Sequence, residues 1–325
     1  MRWVELGTAV QSTIVGIFAL LVLSTVVVGL LHVLRPDKDW ERLTQRIHTW
    51  WLLAGFFSLA IIAGNTATMV FFFLLSFLAL KEFLSLIPTR RVDRRVLFWA
   101  YLAIPIQYFW VYTEWYGMFV VFIPVYMFLL LPVRMISIGQ TDGFVRAAGT
   151  LYWGLMTMVY CISHAAFLTI LRLKDDSVAL PGLGLVIYLV VLTELNDVAQ
   201  YLINSFVGRR KMIPTVSPGK TWVGFLGGVA TTLILAILAG PWLTPMHYGQ
   251  SIIAGLIIGL GGFAGALCVS AMKRDVHIES SGCSLPGHGG ILDRVESLTY
   301  TAPLFFHYVY WLFQFRTHGA GPFTP

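Results

Sequence analysis

Ten stretches of this chain are each long and apolar enough to cross a bilayer, and the charges between them alternate in sign of side. A spanning helix needs about 20 mostly apolar residues. Such windows fall at 11–34, 50–65, 66–87, 96–113, 116–133, 149–171, 182–206, 222–243, 251–272 and 298–315. Only Gly64 and Asn65 separate the second from the third, so a tight turn is required there. Seventeen of the 22 Lys and Arg residues lie in the loops after the odd-numbered spans. By the positive-inside rule those loops face the cytoplasm and both termini lie outside. Charged residues make up 12% of the chain, against about 25% in a soluble globular protein, and hydrophobic ones 57%. That composition excludes a soluble enzyme, a secreted disulfide scaffold and a disordered chain. The expected fold is an all-α polytopic bundle of about ten spans, six in residues 1–180 and four in 181–325, with its polar loops on the cytoplasmic side.

The rest of the composition refines this picture. The net charge of +6 sits mainly on the face beside anionic headgroups. Cys161, Cys268 and Cys283 are distant in sequence and form no C-x-x-C pair, so neither a disulfide framework nor a zinc site is expected. The apolar run from Thr13 to Leu34 is too long for the core of a cleavable signal and lacks a small-residue site after it. No organellar targeting segment stands out, which points to a bacterial inner membrane, and no nucleic-acid partner is expected.

Chemistry concentrates in three places. In the seventh span Thr193, Asn196, Asp197, Gln200 and Asn204 recur at three- and four-residue intervals, with Glu194 at the border of that face. Polar groups are costly in hydrocarbon and face a bundle interior or a wet cavity. A hydrogen-bonded helix seam would use such a face; two carboxylates argue for a functional cavity. The loop Gly208–Gly228 holds Ser217-Pro-Gly-Lys-Thr221. A phosphate-loop motif would need Gly where Pro214 stands, so that reading fails. Ser217, Lys220, Thr221 and the amides opening the eighth helix suit an anion. A helix start capped by Ser217, with Pro218 in the first turn, explains the same residues equally well. The loop Ser270–Ser297 carries Pro286-Gly-His288-Gly289-Gly290, then Asp293, Arg294 and Glu296. Glycines allow close backbone approach to a ligand, and carboxylate beside Arg suits a divalent metal and a phosphate. His32, His48 and His164 stand alone and read as interfacial or packing residues. Acidic and basic elements thus converge on the cytoplasmic face, where they suit phosphoryl or nucleotidyl transfer at a lipid headgroup.

These residues carry a resemblance. Ser217-Pro-Gly-Lys-Thr-Trp with Gly224, Gly227 and Gly228, and Asp197 twenty residues earlier, resembles the phosphatidate cytidylyltransferase (CDP-diacylglycerol synthase) family. So does the longer signature formed by Ser270, Lys273, Arg274, the run Pro286–Gly290, Asp293 and Arg294, in register without gaps. The match covers about residues 193–302. It implies a multi-helix membrane enzyme, often dimeric, that condenses CTP with phosphatidic acid to CDP-diacylglycerol and diphosphate. It also implies magnesium, with room for a second cation, held by Asp293 and Glu296. Lys220, Lys273, Arg274 and Asp293 would be catalytic. Ser217, Thr221 and Arg294 would contact phosphates, His288, Gly289 and Gly290 would shape the pocket, and Asp197 would line the lipid side.

The chain departs from that signature at four positions. Glu279 and Ser280 stand where the family has Lys-Asp, Glu296 where it has Asp, and Ala266 where a Gly-Asp-Leu segment supplies a carboxylate. Asp275 and Glu279 are the candidates to supply replacement oxygens. Two other classes of function share the same residues. One is a paralogue that binds lipid phosphate or nucleotide as a scaffold without transferring it. The other is a lipid transporter using the polar face of the seventh span, against which stands the lack of inverted repeats and paired broken helices.

Overall fold

The computed structural model describes residues 6–37, 40–87, 94–137, 139, 141–171, 181–278, 280–282 and 289–315. Its helices are α1 (Thr8–Leu34), α2 (Glu41–Ala63), α3 (Asn65–Leu86), α4 (Arg94–Tyr112), α5 (Tyr116–Ile136), α6 (Phe144–Leu168), α7 (Pro181–Val207), α8 (Trp222–Leu243), α9 (Tyr248–Asp275) and α10 (Leu298–Tyr310). Short π-helical stretches interrupt α5 at Phe122–Met127 and α6 at Leu155–Cys161, and one extends α10 over Trp311–Phe315. Ten rods therefore occupy the ten expected windows. Eight of them, among the described residues, are long and apolar enough to cross a membrane; α4 and α10 fall outside that set. The chain is an integral membrane protein.

One expectation needs amending. The loop before α8 is not helical but folds into a two-stranded antiparallel ribbon, β1 (Lys211–Ile213) against β2 (Ser217–Thr221). Pro218 therefore sits in a strand, and Ser217 does not cap the helix. Thr221 does: its Oγ1 accepts from the Gly224 amide at 3.1 Å, the usual role of a Thr at this position. The predicted tight turn is present, with Gly64 at φ 102° joining α2 to α3.

Small residues set the packing of the C-terminal helices. On α8 the buried positions Gly224, Gly228, Thr232, Ala236 and Gly240 recur every four residues, forming a stripe that lets another backbone approach closely. A Cβ at Gly224 would collide with the Asn204 amide, and one at Gly228 with Gln200. Thr232 Oγ1 donates to Asn196 Oδ1 at 3.0 Å, Tyr188 OH to the Ala236 carbonyl at 3.2 Å. Thr193 and Thr301 hydroxyls meet at 3.1 Å between α7 and α10. Most of the polar face of α7 is thus an interhelical seam. His164, as expected of a packing residue, is buried among Phe119, Tyr160 and Phe306.

Candidate active site

Asp197 turns away from the seam. Its Oδ2 accepts from Ser297 Oγ at 2.6 Å, at the point where the Leu292–Val295 turn runs into α10. This turn also carries the signature acids. Lys273, on the last turn of α9, donates from Nζ to Asp293 Oδ1 at 2.9 Å and to Glu296 Oε2 at 3.0 Å. All three side chains are largely buried, at 11%, 10% and 19% exposure. A paired ammonium and its hydrogen bonds are what make such burial tolerable.

Asp293 is engaged on both oxygens. Its Oδ2 accepts from Ser280 Oγ at 2.9 Å, from the Ser281 amide at 3.1 Å and from the Gly290 amide at 3.1 Å. Burial works against its ionisation, but the Lys273 ammonium and these donors outweigh it, and the carboxyl sits below the ordinary Asp value. Glu296 goes the other way: burial raises it, with Lys273 offsetting only part. Gly289 has φ +81°, and a Cβ there would strike Asp293 Oδ2 and Ser280 Oγ. The glycine signature therefore wraps the backbone around the Asp293 carboxylate.

A second acid holds this turn from a distance. Glu82, near the end of α3, accepts from the Ile291 amide at 2.9 Å and the Leu292 amide at 3.1 Å. A Cβ on Gly290 would collide with its Oε1. Nothing in the motifs singles out Glu82. Its only signal in the sequence is an acid, next to Lys81, near the end of an apolar span, where a charge is costly without a partner.

Beside this cluster lies a pocket of about 260 Å³, lined by Val216, Ser217, Pro218, Gly219, Ser270, Lys273 and Arg274. It brings the ribbon and the end of α9 together, and Arg274 Nε donates to the Val216 carbonyl at 3.4 Å. Lys220 projects over the Phe263 ring, 4.7 Å from its centre. Burial lowers its pKa, while Asp197 and Glu296 pull it back up. Arg294 couples electrostatically to Asp197 and Glu194 and leaves a buried Nε without a hydrogen-bond partner.

The predicted residues thus divide. Lys220, Lys273, Arg274, Ser217, Asp197, Asp293, Arg294, Glu296, Gly289 and Gly290 gather along the C-terminal half of α9. Thr221 does not offer a free hydroxyl, because it caps α8 and also donates to Asn204 Oδ1. His288 and Glu279 lie outside the described residues. Asp275 points away, toward Arg146 at 4.0 Å, with three quarters of its side chain exposed. Ala266, where the family places a carboxylate, is a buried methyl at 2% exposure.

The acids also bear on the implied magnesium. Among the described residues no three carboxylate, imidazole or thiolate groups converge to hold a metal. Asp293 spends its oxygens on four donors, and Glu296 shares Lys273 with it. A resident ion held directly by Asp293 and Glu296 does not fit this arrangement, in which an ammonium stands between the two carboxylates.

The bundle thus sets a basic, serine-lined pocket beside buried acids. A model of the Cytidylyltransferase family matches residues 44–312, and the chain belongs to that family. It is 40% identical to uncharacterized protein YnbB of Escherichia coli (strain K12), over 92% of this chain and 98% of that protein. The phosphatidate cytidylyltransferase of Bacillus subtilis (strain 168) is 30% identical over 81% of this chain and 96% of its own. That of Staphylococcus haemolyticus (strain JCSC1435) is 27% identical over 75% and 90%.

Proposed function

We propose that the chain transfers a cytidylyl group from CTP to a lipid phosphate, in the first instance phosphatidic acid, giving CDP-diacylglycerol and diphosphate. The observation that carries this reading is the pocket in which Ser217, Ser270, Lys273 and Arg274 meet at the cytoplasmic end of an apolar bundle. A water-soluble polyanion and a membrane-embedded phosphate can meet only at such a boundary. Family membership supports it, as do the phosphatidate cytidylyltransferases among its relatives.

The chemistry needs no side-chain nucleophile, because the lipid phosphate is already an anion at neutral pH. One of its oxygens attacks the α-phosphorus of CTP; the new P–O bond forms as the bond to the β-phosphate oxygen breaks, and diphosphate leaves. The residues position and neutralise. Arg274 and Lys220 lie where they can balance charge on the triphosphate, and Ser217 and Ser270 offer hydroxyl donors. Arg294, with its unused buried N–H, faces Asp197 and Glu194 and suits the lipid phosphate. Lys273 is shared: it fixes Asp293 and Glu296 while lining the pocket. Nucleotide enters as its magnesium salt, substrate rather than resident cofactor. Removing one donor of this kind typically costs about 10²–10³ in rate.

A second reading is a family member that binds nucleotide or lipid phosphate without transfer. The buried methyl of Ala266 and the fully engaged Asp293 carboxylate favour it. Diphosphate release by the detergent-purified protein separates the two. Release that requires both CTP and phosphatidic acid, and that falls at least about 100-fold in Arg274→Ala, supports transfer. CTP binding without release supports the second reading.

A further inference from the structure

A second cavity, of about 540 Å³, lies on the opposite side of α9, within the range of small-molecule sites. Its walls are apolar: Phe83, Leu84, Leu97, Met135, Met272 and Val276. Its polar groups stand at the rim, where Arg146 and Asp275 approach to 4.0 Å with most of each side chain in solvent. Such a lining repels a nucleotide and suits a hydrocarbon chain with an anionic head near an arginine. The walls lie at the ends of α3, α4, α5 and α9 that adjoin the basic loops, the side on which anionic headgroups are attracted.

The two cavities flank the end of α9. Met272, Asp275 and Val276 stand at i, i+3 and i+4 on one face of the last turn of α9, while Ser270, Lys273 and Arg274 occupy the opposite face. On α3, Glu82 grips the turn bearing Asp293 while its neighbours Phe83 and Leu84 wall the groove. A helix with its side chains is about 10 Å across, so the two cavities stand about one helix diameter apart. We infer that this groove receives an acyl chain of the lipid phosphate and guides the headgroup to Lys273 and Arg274. The inference rests on the lipid-phosphate reading above and names where that substrate's apolar part is held.

Gly149, on α6, lines the groove, and nothing lies within 4 Å of where its Cβ would be. Gly149→Phe therefore fills the cavity starting from open space. The test uses the full chain in phosphatidylcholine nanodiscs with phosphatidic acid bearing a photoreactive group near the chain end, the labelled peptides being mapped by mass spectrometry. Labels are expected on residues 146–153 and 272–276, reduced about tenfold in Gly149→Phe, a loss equal to ~1.4 kcal/mol of binding. Arg146→Ala, an exposed change that leaves the walls intact, should lower labelling by phosphatidic acid several-fold. Labelling that is unchanged in Gly149→Phe, or spread evenly over the outer faces of the helices, overturns the proposal. So does equal labelling by a phosphatidylcholine probe, which marks a structural bilayer lipid. CTP turnover, measured on the same samples, is a separate readout: groove labelling without turnover keeps the groove and removes the transfer reading.

Discussion

Lys273 is the residue on which the acids of the site depend. Replacing it with Met leaves Asp293 and Glu296 buried without the ammonium that bridges them. Breaking a buried pair in this way costs about 3–5 kcal/mol, so Lys273→Met should melt well below wild type in detergent; an unchanged melting midpoint would refute the pairing. Asp293 adds a pH dependence of known sign. Its folded pKa lies below the ordinary 3.8, so the stability it contributes is complete above that value and is lost as pH falls through the lower folded value. Melting midpoints taken from pH 6 down to pH 3 should drop more steeply for wild type than for Asp293→Asn, and parallel curves would contradict the assignment. Asp293, Lys273 and Arg274 were singled out by the family signature in which they fall. Their contacts were not: spacing cannot reveal that Lys273 would bridge two carboxylates, nor that Ser280 would become a donor to Asp293. Glu82 escaped because its partners are backbone amides more than two hundred residues away.

At the level of elements, α7 shows why a polar helical face is ambiguous in a sequence. Thr193, Asn196, Gln200 and Asn204 look alike in spacing to Asp197, yet Thr193 and Asn196 bond to α10 and α8, Asn204 accepts from Thr221 at the cap of α8 and Gln200 packs at Gly228, while Asp197 reaches Ser297. Which residue meets a ligand depends on where α8 and α10 stop, and that is a tertiary matter. The stripe of small residues on α8 yields a prediction of its own. Gly228→Val inserts a side chain where a Cβ already strikes Gln200 and should cost about 1–3 kcal/mol by overpacking. Gly219→Ala, at a position with open space, should leave the melting midpoint within about half a kcal/mol of wild type. Equal melting of the two variants would argue that α7 and α8 do not pack through this stripe. The ribbon β1–β2 was not foreseen, because three- and five-residue strands rich in Pro, Gly and Lys carry no strand periodicity.

For the whole molecule, the apolar windows and alternating basic loops were enough to locate ten helical rods and the face on which the site assembles. They could not foresee that residues from both ends of the chain would build that site, with α3 holding the turn that precedes α10. The central claim is that this end of the bundle joins a nucleotide to a lipid. Its most direct test is transfer of label from α-³²P-CTP to phosphatidic acid by purified protein in nanodiscs, with the lipid product identified by mass spectrometry. The account predicts labelled CDP-diacylglycerol from wild type and a loss of about 10²–10³ in its rate of formation in Lys220→Ala and Arg274→Ala. Intact CTP binding with no labelled lipid, or label transfer that persists undiminished in both variants, would contradict it.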